Sequence, residues 1–239
     1  MSEAPQFPPQ FPPLFRGQAA EGQIDPFDKA CVEAVKGCDA GLVVYNLGHS
    51  QLRAAIVFAP DVALSDAMVM LPLCGVGFQN ALGALAPPEV AVHLDWDGGI
   101  RINGASCGRM RVAASDHEKT AEPNWLVVGL TLPLWPEDDN PGTTPDQTSL
   151  FAEGCADVDV TALLEAWVKH TLYWINAWSH DGVAKLHKDW RTLAFGIGEP
   201  AQMAGHSGTY LGVDEQFGML LRDDDTTHLI ALTHLLEGV

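Results

Sequence analysis

The residues of this chain with the plainest capacity for chemistry lie between His93 and Arg111, in the run His-Leu-Asp-Trp-Asp-Gly-Gly-Ile-Arg-Ile-Asn-Gly-Ala-Ser-Cys-Gly-Arg-Met-Arg. Arg109 and Arg111 are two apart on a strand-like stretch, so alternation points both to one face. If that face is a pocket, the guanidiniums can bind a carboxylate or phosphate in bidentate fashion. If it is solvent, they balance an acidic surface. His93 has the chemistry of a general base, or is a satisfied structural histidine. Asp95 and Asp97 flank Trp96 and either hold Mg²⁺ as a carboxylate pair or cap a turn. Cys107, beside Gly108, is either an acyl-carrying nucleophile or a small buried hydrophobe.

Charge limits what such groups can do. The 239 residues include 31 acidic and 13 basic side chains, a net charge of −18. That field repels polyanions, which argues against a nucleic-acid-binding face, and any phosphate site must be built from few cations. Hydrophobic residues make up 47% of the chain, enough for a sizeable core. The cysteines (31, 38, 74, 107 and 155) form no CxxC or Cys/His cluster, so neither a disulfide framework nor structural zinc is expected. No signal-peptide pattern opens the sequence. The apolar stretch 68–85 contains Pro72, Gln79 and Asn80, which reads as a buried helix rather than a membrane span. A cytoplasmic protein with reduced thiols is the expectation.

The elements that must position these residues are legible from caps and periodicity. Residues 1–24 form an arm in which Gln-Phe-Pro-Pro occurs twice, with polyproline II character. Phe7, Phe11, Leu14 and Phe15 are expected to dock it on the core. Asp25 as N-cap, Pro26 at N1 and Gly37 as stop bracket a first helix. Strands follow near 41–46 and 52–58, and then a long helix from a Ser65 cap to Leu85. Further strands are read at 90–94, 100–102, 109–114 and 125–132. A third long helix follows Asp159 over about 160–180, with Leu164, Trp167, Thr171, Trp174 and Trp178 on its apolar face. Residues 138–148 read as a loop. Past Trp190, short strands alternate with Gly205, Gly208, Gly212 and Gly218, and Asp223–Asp225 closes a hairpin. The domain reading is an arm at 1–24, a main α/β domain at 25–196, and a small all-β domain at 197–239 that packs on it.

Several stretches, in order, resemble the biotin/lipoate protein ligase family. The run from His93 to Gly108 resembles its K-W-P-N-D segment, Asn-Gly hairpin and closing glycine. Trp125–Pro133 resembles its G-I-G-I-N strand, and Thr148-Ser-Leu resembles A-T-S-L before a long helix. Gly208–Leu221 resembles the G-x-x-x-G-I-D-x-x-G-x-L pattern of its SH3-like C-terminal module. The resemblance implies an α/β (α+β) ligase-like core with a mixed sheet packed by helices, plus a small SH3-like barrel. It also implies activation of a biotin- or lipoate-type acid by ATP and Mg²⁺, then transfer to a lysine of an acceptor protein domain. On this resemblance Gly48, His49, Arg53, Trp96, Gly108 and Gly129 are ligand-site residues. Arg109 and Arg111 lie on a strand that lines that site.

The sequence departs from the family where the chemistry is most demanding. Family members carry a Gly/Arg-rich loop, G-R-G-R-x-G-R, for the phosphates. Here only Asn46-Leu-Gly-His-Ser-Gln-Leu52 stands between the two strands, with Gly48, His49 and Arg53 as remnants. His93 or Leu94, depending on the alignment, falls where the motif lysine should be, and Pro133 replaces the asparagine of G-I-G-I-N. Three functions remain open: a divergent ATP-dependent acyl–protein ligase, a small-acid-binding module that has lost adenylation, and a thiol-dependent acyltransferase using Cys107.

Overall fold

Runs rich in Val, Leu and Ile assemble into one seven-stranded sheet. The structure, a computed structural model, describes residues 8–136 and 146–238. The strands are β1 (Arg16–Ala19), β2 (Leu42–Leu47), β3 (Gln51–Phe58), β4 (Val92–Leu94), β5 (Gly99–Ile102), β6 (Ala105–Ala114) and β7 (Leu126–Pro133), in spatial order β1-β2-β3-β7-β6-β5-β4. Among these strands only β1 and β2 pair in parallel. Strand alternation sorts the side chains into two layers. Val43, Ile56, Val112 and Val128 face a core built with α3 (Met70–Leu85) and α4 (Val160–Asp181). Val44, Ala55, Val57 and Val127 face α1 (Pro26–Val35) on the other side, against Phe27, Ala30, Cys31 and Ala34. The result is the mixed α/β ligase-like core that the resemblance implied.

The caps act as their sequences dictate. The Asp25 side chain accepts the Phe27 N–H at 2.8 Å, with Pro26 at the first helical position, and Asp159 accepts the Ala162 N–H at 2.8 Å. The segment from Leu64 to Leu85 is apolar and long enough to cross a membrane, but it is largely buried within the protein. It packs tightly on α4, because a Cβ on Gly77 would lie 3.0 Å from Thr171 Oγ1. Trp167 donates its indole N–H to the Cys74 carbonyl at 3.0 Å.

Two local expectations are corrected, and two elements are added. Ser65 is not a cap: a short α2 (Leu64–Ala67) precedes α3, with no side-chain cap at Ala63. The Ala67 and Met68 N–H groups that a Ser65 cap would receive donate to the Ala63 and Leu64 carbonyls at 2.8 and 3.0 Å, and the Leu64 N–H donates to the Ala121 carbonyl at 2.8 Å. Leu14 is 83% exposed with φ +79°, so it turns the chain rather than docking it. Phe11 and Phe15 do pack on the core, whereas Phe7 lies outside the described residues. The arm also supplies edge strand β1, which its polar, Gly-containing sequence conceals. Finally, α5 (Ala184–Leu193) follows Gly182; only Leu186 and Trp190, four apart, are buried on it. Most of the loop read at 138–148 lies outside the described residues.

The C-terminal module is an antiparallel meander of β8 (Pro200–Met203), β9 (His206–Val213), β10 (Met219–Arg222) and β11 (Thr227–Ile230). Val213 and Phe217 point inward. Asp214 Oδ1 accepts the N–H groups of Gln216 and Gly218 at 3.0 and 2.7 Å, which fixes the turn between β9 and β10. Several contacts bind the module to the core, among them two that run through backbone carbonyls. The buried Trp96 donates its indole N–H to the Phe217 carbonyl at 2.7 Å. At the chain's end, the Glu237 N–H donates to the Val112 carbonyl at 2.9 Å, along the part of β6 that the short β5 leaves unpaired.

Candidate anion-binding site

Helix α1 covers only one end of the outer sheet face. Register then dictates what lies beyond it. Arg53 on β3 and Arg109 on β6 are each paired with Thr131 on β7, between them, so all three side chains share that face. Asn46 continues the row on β2. The two arginine Cα atoms are separated by two strand spacings, about 10 Å, a distance their side chains can close around one anion. Among the described residues, neither guanidinium has an ion-pair or hydrogen-bond partner. Thr131 is half-buried between them.

Arg111, on the same face one row nearer α1, is held differently. Its Nη2 lies 2.8 Å from Asp25 Oδ2, its Nη1 lies 3.5 Å from Glu237 Oε2, and the guanidinium stacks 4.3 Å from the Phe27 ring centroid. This residue is neutralised and locked. The sequence pairs Arg109 and Arg111 correctly on one face but cannot foresee that remote carboxylates claim only the second.

The remaining predicted residues fall into two groups. Gly48, His49 and Arg53 lie at or beside the turn from β2 to β3. The Arg/Gly loop's place is taken by a three-residue link, Gly48-His49-Ser50, with His49 exposed and stacked on Trp135. Gly129 lies under Phe27, where a Cβ would come 2.5 Å from that ring, and a Cβ on Gly108 would meet the Thr131 carbonyl at 2.5 Å. At both positions close packing leaves no room for a Cβ. Trp96 is committed to the domain junction. His93, on β4, is two strands from Arg109, with its ring edge-on to Phe195 and its Nδ1 buried without a partner among the described residues. It is not brought to the arginines.

Asp95 and Asp97 are engaged separately, and among the described residues no group of three or more potential metal ligands includes them. Both Asp95 oxygens face Arg101 Nε, at 2.8 and 3.0 Å, and Asp97 Oδ1 accepts the Gly99 N–H at 3.3 Å. These are an ion pair and a turn cap. Counting back from Trp96, the position of the K-W-P-N-D lysine is held by Asp95, not by His93 or Leu94. Cys107 is fully buried. Burial, followed by the nearby Glu153 carboxylate, pushes its thiol up to about 12, so it is neither exposed nor ionised as a nucleophile must be.

The family's Mg-ATP requires several cations and backbone donors around its phosphates. Among the described residues this face offers two guanidiniums without partners, a clipped turn and a carboxylate in place of the lysine. Residues 137–145, outside the described part of the chain, contain no Lys or Arg. The residues present do not fit a triphosphate, but they do fit a single carboxylate.

Comparison with known proteins agrees with this architecture. The profile of the biotin/lipoate A/B protein ligase family matches residues 11–192, and that of a domain of unknown function (DUF4444) matches residues 197–238. The chain belongs to the biotin/lipoate A/B protein ligase family. A biotin protein ligase-like protein of unknown function from Silicibacter sp. TM1040 is 63% identical, with TM-score 0.92 over 96% of this chain and 100% of that one. A point mutant of the Aquifex aeolicus biotin protein ligase, in complex with biotin, is 15% identical, with TM-score 0.70 over 91% of this chain and 96% of that one. The Leishmania major biotin protein ligase in complex with biotinyl-5-AMP is also 15% identical, with TM-score 0.57 over 92% and 99%. These last two share the fold. No curated protein is significantly similar.

Proposed function

We propose that this protein binds a small carboxylic acid on the outer face of its sheet and does not adenylate it. Biotin and lipoate are the first ligands to test, given the family. The observation that carries the reading is the free pair Arg53 and Arg109 around Thr131. In a chain with 31 acidic side chains, two neighbouring guanidiniums without a carboxylate partner among the described residues are a focus of positive potential, and that focus draws a small anion. A carboxylate received by the two guanidiniums and the Thr131 hydroxyl would gain charge-assisted hydrogen bonds of the stronger kind.

The two other readings ask for groups that this face lacks. Acyl-adenylate formation needs a cationic cradle where the turn at Gly48-His49-Ser50 and Asp95 now stand. Acyl transfer through Cys107 needs a reachable thiolate. The test is a thermal-shift screen of the full chain against biotin, lipoate and octanoate, each with and without Mg-ATP. An acid at 100 times its dissociation constant raises stability by about 2.7 kcal/mol. The reading expects such a shift from an acid alone, no further shift from Mg-ATP, and no pyrophosphate release. Acid-dependent pyrophosphate release would restore the ligase reading.

A further inference from the structure

Next to Arg109, a cavity of about 180 Å³ opens between the unpaired edge of β6 and the C-terminal module. It is smaller than the roughly 300–1,000 Å³ typical of drug-sized ligands. Its lining includes Asp97, Arg109, Arg111, Met203, Leu235 and Glu237. Two guanidiniums and two carboxylates thus share the cavity wall with apolar side chains, among them Met203 and Leu235 from the C-terminal module.

The unused bonding capacity is unequal. Arg111 is shared between Asp25 and Glu237, whereas Arg109 is unpaired among the described residues. On the acidic side, Asp97 has a single 3.3 Å backbone contact, and Glu237 reaches Arg111 only at 3.5 Å. Both carboxylates keep open acceptor positions at the cavity rim, where Asp97 is exposed and Glu237 partly so. A bare fatty acid at Arg109 would set its hydrocarbon against two carboxylates. A bare amine would leave Arg109 unmatched. A zwitterion with a short apolar side chain uses all three: carboxylate on Arg109, ammonium on Asp97 and Glu237, and side chain on Met203 and Leu235.

We infer that the acid this site selects also carries a protonated amine, and that its ligand is a small aliphatic amino acid. The inference rests on the carboxylate-binding reading above and narrows it to a class that includes neither biotin nor lipoate. Arg109 belongs to both the open face and the cavity, so the carboxylate anchor lies where they meet.

The test is calorimetry on the full chain with three probes of one shape: L-leucine, 4-methylpentanoate and 3-methylbutylamine. L-leucine is expected to bind at least tenfold tighter than either of the others. Asp97→Asn combined with Glu237→Gln should remove that preference by weakening leucine and strengthening 4-methylpentanoate, while Arg109→Ala should abolish binding of both. If 4-methylpentanoate binds as tightly as leucine or tighter, the inference falls and the carboxylate reading stands. If neither binds, the inference falls and binding of biotin, lipoate or octanoate decides the carboxylate reading; if leucine binds the Arg109→Ala chain unchanged, both fall. The probe series on the parent chain decides the inference even if a variant folds poorly.

Discussion

Asp25 Oδ2 lies 2.8 Å from Arg111 Nη2, while Oδ1 of the same carboxylate accepts the Phe27 N–H at 2.8 Å. One side chain therefore starts α1 and fastens it to β6. It also removes Arg111 from the set of free cations, which leaves the face to Arg53 and Arg109. Asp25→Ala should cost about 1–3 kcal/mol, combining a lost cap with a guanidinium left to the Phe27 ring and a weak contact to Glu237. At about 2–4 °C per kcal/mol for a chain of this size, the melting midpoint should fall by several degrees. Asp25→Asn keeps the cap and should fall less. A thermal melt in which Asp25→Ala matches the parent would show that the clamp adds nothing.

The junction between the two domains rests on Trp96 and Phe217. Trp96→Phe keeps the ring packing but strands the buried Phe217 carbonyl, at a cost of about 1–3 kcal/mol. Ending the chain at Glu199 should be worse, because it uncovers Trp96 and Trp190, whose faces now pack on Phe217 and its neighbours. The truncated protein should melt lower and bind a hydrophobic dye. If it instead melts like the full chain and stays soluble, the module is a loosely tethered one.

Thiol chemistry offers an independent check. Cys31, Cys74, Cys107 and Cys155 are buried, and only Cys38 is partly accessible. A disulfide-exchange reagent at pH 8 should therefore label Cys38 first, and the other four only on unfolding. Burial pushes the Cys31 and Cys107 thiols up to about 12 from the ordinary 9.0. Above pH 9 the unfolded chain releases those protons while the folded chain keeps them, so stability should fall as pH rises from about 9 toward 12. Rapid labelling of Cys107 in the native protein would revive the acyl-carrier reading.

The order of elements was legible because caps and periodicity are local. Asp25, Pro26, Asp159 and the alternating Val/Ile runs specify their elements without help from distant residues. What escaped was set by tertiary contacts. Strand β1 exists because β2 offers it an edge, and Ser65 loses its cap role because the helix already starts at Leu64, so the Ala67 and Met68 N–H groups donate to the Ala63 and Leu64 carbonyls. The same limit governed the site. Alternation put Arg109 and Arg111 on one face, but Asp25 and Glu237 decide which of them is free. The signal that could have promoted Arg53 from a loop remnant to a main partner is its place on the same strand phase as Ala55 and Gln51.

Mg-ATP alone should bind weakly. The three-residue turn after β2 leaves no phosphate loop, and Asp95, neutralised by Arg101, supplies no positive charge where the family's lysine would. Titration calorimetry should show no saturation in the micromolar range. A micromolar dissociation constant in the absence of any acid would mean that cations from elsewhere reach the nucleotide.

The most direct measurement is the affinity of the parent, Arg53→Ala and Arg109→Ala chains for the tightest-binding member of a panel of biotin, lipoate, octanoate and L-leucine. Each substitution removes one partner of a charged hydrogen bond, so affinity should drop by about 2–5 kcal/mol, roughly 30- to 5,000-fold. Melting temperatures should be unchanged, since neither arginine holds the fold together through an ion pair. If both variants bind like the parent, or if the parent binds none of the panel, the arginine pair is a solvated surface and the account fails.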